Sequence, residues 1–222
     1  ENSITANNVI GFINNNSDNT IVIGAHYDHL GYGGEGSLYR DSDIKIHNGA
    51  DDNASGVSLM LDLAAKLKDN INNNYLFIAF SGEELGLLGS NFFVKNSTIN
   101  IKSINYMINM DMVGRLNTDN TLAVYGLGTS PIFKQTIKSN NQNFKIIENE
   151  SGIGPSDHTS FYLSDIPVLH FFTGQHSDYH KPSDDSNLIN YKGMNLISNF
   201  IYTIISDLND NGKLPFRETK NE

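Results

Sequence analysis

Five short polar strings hold most of the side chains in this sequence that could do chemistry. The first is Gly24-Ala25-His26-Tyr27-Asp28. Its His-x-Asp spacing puts both side chains on one side of an extended segment, so Asp28 can orient the imidazole. The second runs from Asn48 to Gly56 and sets Asp51 and Asp52 side by side at the entry to a helix. Acids cap helices well, but a cap explains one carboxylate more easily than two. The third, Ser81-Gly82-Glu83-Glu84-Leu85-Gly86, follows an apolar run. Adjacent acids at a strand end point apart, so one can ligate a metal while its neighbour acts as general base. The fourth places Asp111 between Met110 and Met112. An unpaired carboxylate there would be costly, and either Arg115 or a metal would satisfy it. The fifth, Ser177 to Asp185, carries His180 in a polar loop without apolar periodicity.

The elements that must position these groups are legible as runs and periods. Thr20–Ala25, Tyr75–Phe80, Ile104–Met110 and Pro167–Phe172 read as buried strands. Thr121–Tyr125 and Phe144–Ile147 read as further strands. Ser55–Asn70 places Val57, Met60, Leu61, Ala64 and Leu67 on one helical face. Gly86–Lys95 and Pro131–Ser139 read as short helices, and a long helix carrying Ile197, Phe200, Ile201, Ile204, Ile205 and Leu208 closes the chain. Alternating strands and helices, with strands apolar throughout, predict a three-layer α/β/α sandwich around a mixed, mostly parallel sheet. One domain over residues 1–222 is expected, with a frayed tail from 213. In such sheets ligands bind beyond the carboxyl ends of the strands, where the polar strings fall. Of the seven histidines, His26 and His180 are the expected ligands. His29, His47 and His176 read as solvated and His170 as core. His158 is open, and its neighbour Asp157 either caps a short helix or lines the site.

Composition narrows the chemistry. The 222 residues carry a net charge of −10, which disfavours nucleic acid and anionic membrane partners. No cysteine is present, so there is no thiolate site, and a transition metal must be held by His and carboxylates. No stretch is apolar enough for a transmembrane helix. The chain begins at Glu1 without Met or a basic-then-apolar leader, as expected of a processed form or an excised domain.

The strings GAHYDHLG, NGADDNASG, FSGEELGLLGS, NMDMVGR, GPSDHTSF and DYHKPSDD, in this order, resemble the co-catalytic di-zinc aminopeptidases, relatives of glutamate carboxypeptidase and the glutaminyl cyclases. The resemblance runs from about Asn8 to about Tyr191. It implies two zinc ions bridged by Asp51, one also held by His26 and Asp111, the other by Glu84 and His180. It implies Glu83 as general base for a metal-bridging hydroxide, Asp28 as the partner orienting His26, and Tyr179 as an aid to the tetrahedral intermediate. Nitrogen and oxygen ligands without sulfur suit zinc, and paired metals lower the pKa of a shared water.

The function expected from this resemblance is removal of N-terminal residues from peptides by a secreted or periplasmic monomer. An acidic site rim suits a free amino terminus, and Phe161 and Phe172 are candidates for the side-chain pocket. A glutaminyl cyclase on the same fold is the alternative enzyme, but those relatives use tryptophans and this chain has none. A non-catalytic binding domain is the alternative outside catalysis. The Gly31–Asn48 segment, with Glu35, Asp41 and Asp43, reads as a solvated loop in preference to a lid or cation site.

Overall fold

Three apolar runs, β2 (Thr20–His26), β3 (Asn74–Phe80) and β4 (Ile104–Met110), are buried along their whole length, so both of their faces need cover. The computed structural model, which describes residues 5–220, shows how that cover is supplied. The remaining strands are β1 (Val9–Ile13), β5 (Thr121–Tyr125), β6 (Lys145–Glu148) and β7 (Val168–Phe172). The helices are α1 (Gly56–Leu67), α2 (Leu88–Lys95), α3 (Phe133–Asn140), α4 (His158–Tyr162) and α5 (Tyr191–Leu208).

The strands form one sheet in the order β1-β3-β2-β4-β7-β5-β6. Neighbours β2/β3, β2/β4, β4/β7 and β5/β6 are parallel, and β1/β3 and β5/β7 antiparallel, so the sheet is mixed and mostly parallel as expected. Alternate side chains feed two cores, as the two-residue strand period requires. Ile21, Ile23, Phe77, Tyr106 and Ile108 pack in one core beneath α1 and α5, with α3 beside α5. Val22, Leu76, Ile78, Phe80 and Met107 pack in the other with Phe93 of α2 and Phe161 of α4. This is the expected three-layer sandwich. The side chain of Asn190 caps α5 by accepting from the Gly193 N–H, and Ile201, Ile204 and Ile205 are fully buried. Truncating one of them to alanine costs about 2–5 kcal/mol.

One strand is added and one expectation corrected. Strand β1 is not among the strands expected from the sequence: Gly11 breaks its apolar run of Val9, Ile10, Phe12 and Ile13, and most of its side chains stay exposed on the sheet edge. Among the described residues, the expected frayed tail is docked from Leu214 to Thr219. Leu214 is buried and its N–H donates to Asn105, the Arg217 N–H donates to the Thr129 carbonyl, and the Thr219 N–H donates to the Tyr162 hydroxyl. These backbone bonds are satisfied by the fold rather than by water.

Candidate metal centre

His26 is the last residue of β2 and Asp111 directly follows β4, so two neighbouring parallel strands deliver them to the same end of the sheet. Glu83 and Glu84 lie in the turn after β3, and His180 in the loop after β7. The turn into α1 supplies one more carboxylate. That turn is held in place by side chains on its flanks. Asp184 accepts from the N–H groups of both Asp51 and Asp52, at 2.9 and 3.1 Å. Asn53 donates to the Met110 carbonyl and accepts from the Gly56 and Met112 N–H groups, tying the turn to the end of β4. A side chain at Gly56 would collide with both Asn53 and the Met110 carbonyl, so the close approach requires glycine.

This turn overturns the expectation for Asp51. Asp52 (φ −106°, ψ 87°) and Asn53 (φ −138°, ψ 41°) leave helical space, which turns the two adjacent carboxylates in different directions. Asp51 points into the protein, where it accepts from the Gly114 N–H at 2.6 Å and from His176 Nε2 at 3.1 Å. Asp52 is the residue that reaches the other candidates. Its Oδ1 lies 3.2 Å from His26 Nε2 and its Oδ2 lies 3.1 Å from His180 Nε2. His26 Nε2 is also 3.4 Å from Asp111 Oδ1, and His180 Nε2 is 3.1 Å from Glu84 Oε2. Two groups of three side chains thus converge, each contributing one imidazole, and Asp52 belongs to both.

Each ring is oriented through its other nitrogen. His26 Nδ1 donates to the Asp28 carbonyl at 3.1 Å, and His180 Nδ1 donates to the Gly36 carbonyl at 2.8 Å, which leaves both Nε2 atoms as potential ligands. Asp28 therefore orients His26 through its backbone. Its carboxylate, 3.8 Å from His26 Nδ1, instead accepts from the N–H groups of Glu83 and Glu84 and fixes that turn. The Gly31–Asn48 segment is more than a solvated loop, because Gly36 orients His180 and the Leu38 N–H donates to the His180 carbonyl. Its acids form no cluster: Asp43 is occupied by Tyr39 and Lys45.

Arg115 does not neutralise Asp111. It pairs with Asp178 at 2.7 Å. The acids instead share the two imidazoles. Burial alone would disfavour a charged His180, yet its hydrogen bonds to Asp52 and Glu84 outweigh that and push it up to about 10. Burial likewise opposes ionisation of Glu84, but bonds from His180 and His29 bring it down to about 2. His26 is raised for the same reason, by Asp111 and Asp52 against burial. Glu83 behaves differently. Burial pushes it up to about 9, helped by Asp111, Asp157 and Glu84 against the pull of His26. Glu83 Oε2 stands 3.9 Å from His26 Nε2, so the two adjacent glutamates face different surroundings.

The donor set fits zinc. Ligand atoms about 2.0–2.2 Å from a tetrahedral zinc stand about 3.3–3.6 Å from one another, close to the 3.1–3.4 Å separations within both groups. A cavity of about 250 Å³ opens over these acids, with Met112, Tyr125, His170, Phe172, Gln175 and Tyr179 around it. Tyr179 stacks on His180 with ring centroids 3.8 Å apart, and burial raises its phenol, so it remains an O–H donor. Phe161 does not line the cavity; it is buried between Phe80 and Phe93.

Three loop histidines expected in solvent are not there. His29 donates to Glu84, His176 donates to Asp51, and His47 is buried against the Ser37 hydroxyl. His158 and His170 stack in parallel, centroids 4.3 Å apart, and burial holds both below the ordinary imidazole value. Asp157 is fully buried without a hydrogen-bond partner for either oxygen among the described residues, and burial pushes it up to about 7.

With this geometry in view, the likeness to known proteins is specific. The sequence profile of Peptidase family M28 matches residues 8–205. Aminopeptidase YwaD of Bacillus subtilis is 30% identical over 200 residues, 81% of this chain and 40% of that protein. A protein of Trichophyton verrucosum named "Probable leucine aminopeptidase" is 32% identical over 177 residues, 72% of this chain and 44% of that one. The crystal structure of BSAP, a zinc aminopeptidase from Bacillus subtilis, superposes with a TM-score of 0.73 at 25% identity, covering 94% of this chain and 50% of that one. Porphyromonas gingivalis glutaminyl cyclase, at 17% identity and a TM-score of 0.75, shares the fold; the match covers 90% of this chain and 77% of that one. The chain spans less than half the length of the curated relatives it matches. A profile match over most of the chain, on the sheet that gathers these side chains, shows that it belongs to Peptidase family M28.

Proposed function

We propose that this chain is a zinc aminopeptidase that hydrolyses the first peptide bond of a peptide with a free amino terminus. The observation that carries the reading is the pair of converging ligand groups joined through Asp52, with Glu83 beside them. His26, Asp52 and Asp111 would hold one zinc, and Asp52, Glu84 and His180 a second. Bound there, zinc supplies Lewis-acid polarisation of the scissile carbonyl and a water of lowered pKa.

The side chains do the rest. Glu83, unbonded to any imidazole at hydrogen-bond distance, would be ionised by the positive charge of zinc held beside it, against the burial that raises it in the metal-free chain, and then takes a proton from the attacking water. As the carbon–oxygen bond forms and the carbon–nitrogen bond breaks, it delivers that proton to the leaving amine. The Tyr179 hydroxyl donates to the oxygen that gains charge in the tetrahedral state. The acids around the cavity attract the substrate's ammonium group, and Tyr125, His170 and Phe172 surround its side chain. No helix among the described residues is long and apolar enough to cross a membrane. The reading includes export from the cell, which cell fractionation tests.

The experiment compares aminoacyl p-nitroanilides with their N-acetylated forms, with zinc and after chelation. The reading expects zinc-dependent hydrolysis of the free-amine substrates alone. Hydrolysis of the acetylated forms, or activity that survives chelation, contradicts it.

A further inference from the structure

His29 lies three residues after His26, in the turn that leaves β2, and its ring is only 11% exposed. Its Nδ1 stands 2.7 Å from Glu84 Oε1, and this is its only hydrogen bond among the described residues. Its Nε2 is buried and unpartnered. The ring is placed by packing: it meets His180 edge-on at 5.9 Å, with His47 at 6.4 Å. Gly49 leaves the space for it, since a Cβ there would come within 2.7 Å of the ring. Gly49 also sits at φ 59°, where a side chain is strained in any case.

The consequence concerns the two oxygens of Glu84. Oε1 is taken by the imidazole N–H of His29, while Oε2 faces His180 Nε2 at 3.1 Å, the partner with which it would share a zinc ion. A carboxylate with both oxygens open could rotate or bind a metal through both. With one oxygen fixed on a rigid, buried donor, it offers a single oxygen in a single direction.

Resting on the zinc reading above, we propose that His29 is a positioning residue that makes Glu84 a one-oxygen ligand. It thereby sets the affinity of the zinc position formed by Asp52, Glu84 and His180. The position formed by His26, Asp52 and Asp111 does not touch His29 and keeps its affinity.

The test uses two variants of nearly equal size. His29→Asn keeps an N–H donor close to the place of Nδ1, and His29→Leu removes it. Zinc affinity is measured by competition with a chromophoric chelator, and zinc content by elemental analysis. The wild type is expected to bind two zinc ions. His29→Leu is expected to bind one as tightly as the wild type and the other about 10–100-fold more weakly, the usual effect of losing an outer partner of a ligand. His29→Asn is expected to recover most of that loss. Two unchanged affinities in His29→Leu overturn the proposal and leave the zinc reading standing. Equal weakening in the leucine and asparagine variants shows a packing role and also overturns it. A wild type that binds no zinc overturns both.

Discussion

Replacing Asp51 and Asp52 by asparagine, one at a time, separates two neighbouring carboxylates that the structure gives different work. Asp51 is fully buried and accepts from the Gly114 N–H at 2.6 Å and from His176 Nε2 at 3.1 Å. His176 Nδ1 already accepts the Asp178 N–H, so the proton of the ring sits on Nε2. An asparagine whose oxygen stays on Gly114 would therefore turn its own N–H₂ toward that Nε2–H, donor against donor. The cost is that of a buried hydrogen bond to a charged group, about 1.5–3 kcal/mol. For a chain of this length each kcal/mol lowers Tm by about 2–4 °C, so Asp51→Asn should melt about 3–12 °C lower. Its zinc content should be that of the wild type. Asp52→Asn removes the one charge that both ligand groups share. It should weaken zinc by at least the 10–100-fold typical of an outer partner, and activity should fall with it. Thermal melts and elemental analysis on the same dialysed samples read both effects. Loss of zinc in Asp51→Asn with full retention in Asp52→Asn would refute the reasoning.

Other perturbations reach the remaining groups. Glu83→Gln should keep both zinc ions and lower kcat by about 10²–10⁴-fold, the usual worth of a general base; loss of zinc in this variant would instead make Glu83 a ligand. In metal-free protein, the His180 pKa of about 10 lies above its ordinary 6.5, so its contribution is complete below pH 6.5 and is lost as pH rises toward 10. Glu83, buried and raised from 4.5 to about 9, lowers stability progressively from pH 4.5 to 9, while the contribution of Glu84 is lost as pH falls from 4.5 to about 2. The Tm of the chelated protein should therefore fall from about pH 6.5 toward pH 9; a rise across that range contradicts the assignment. His170→Phe keeps a ring at the cavity wall without its nitrogens. It should move the kcat/KM ratio of leucyl over glutaminyl substrates upward by about tenfold, and an unchanged ratio would place the substrate side chain elsewhere.

The parts of this site that follow local rules are legible in the sequence. Apolar runs end at His26, before Glu83 and at Asp111, and strand ends are where such sheets bind ligands. The choice between Asp51 and Asp52 is not local. Both sit at the same helix entry, and only the kinked turn, held by Asp184 and Asn53, decides which one faces the cavity. His29 and His176 look like solvated loop residues because their partners, Glu84 and Asp51, are 55 and 125 residues away in the chain. The docked tail is hidden in the same way, since Leu214 and Phe216 are isolated apolar residues in a polar stretch.

Anomalous scattering at the zinc edge, from crystals of the zinc-loaded protein, tests the central claim most directly. Two peaks on either side of the Asp52 carboxylate are predicted, about 3.5–4 Å apart. One should lie among His26, Asp52 and Asp111, and the other among Asp52, Glu84 and His180. A single peak, or a peak between Asp51 and His176, would contradict it.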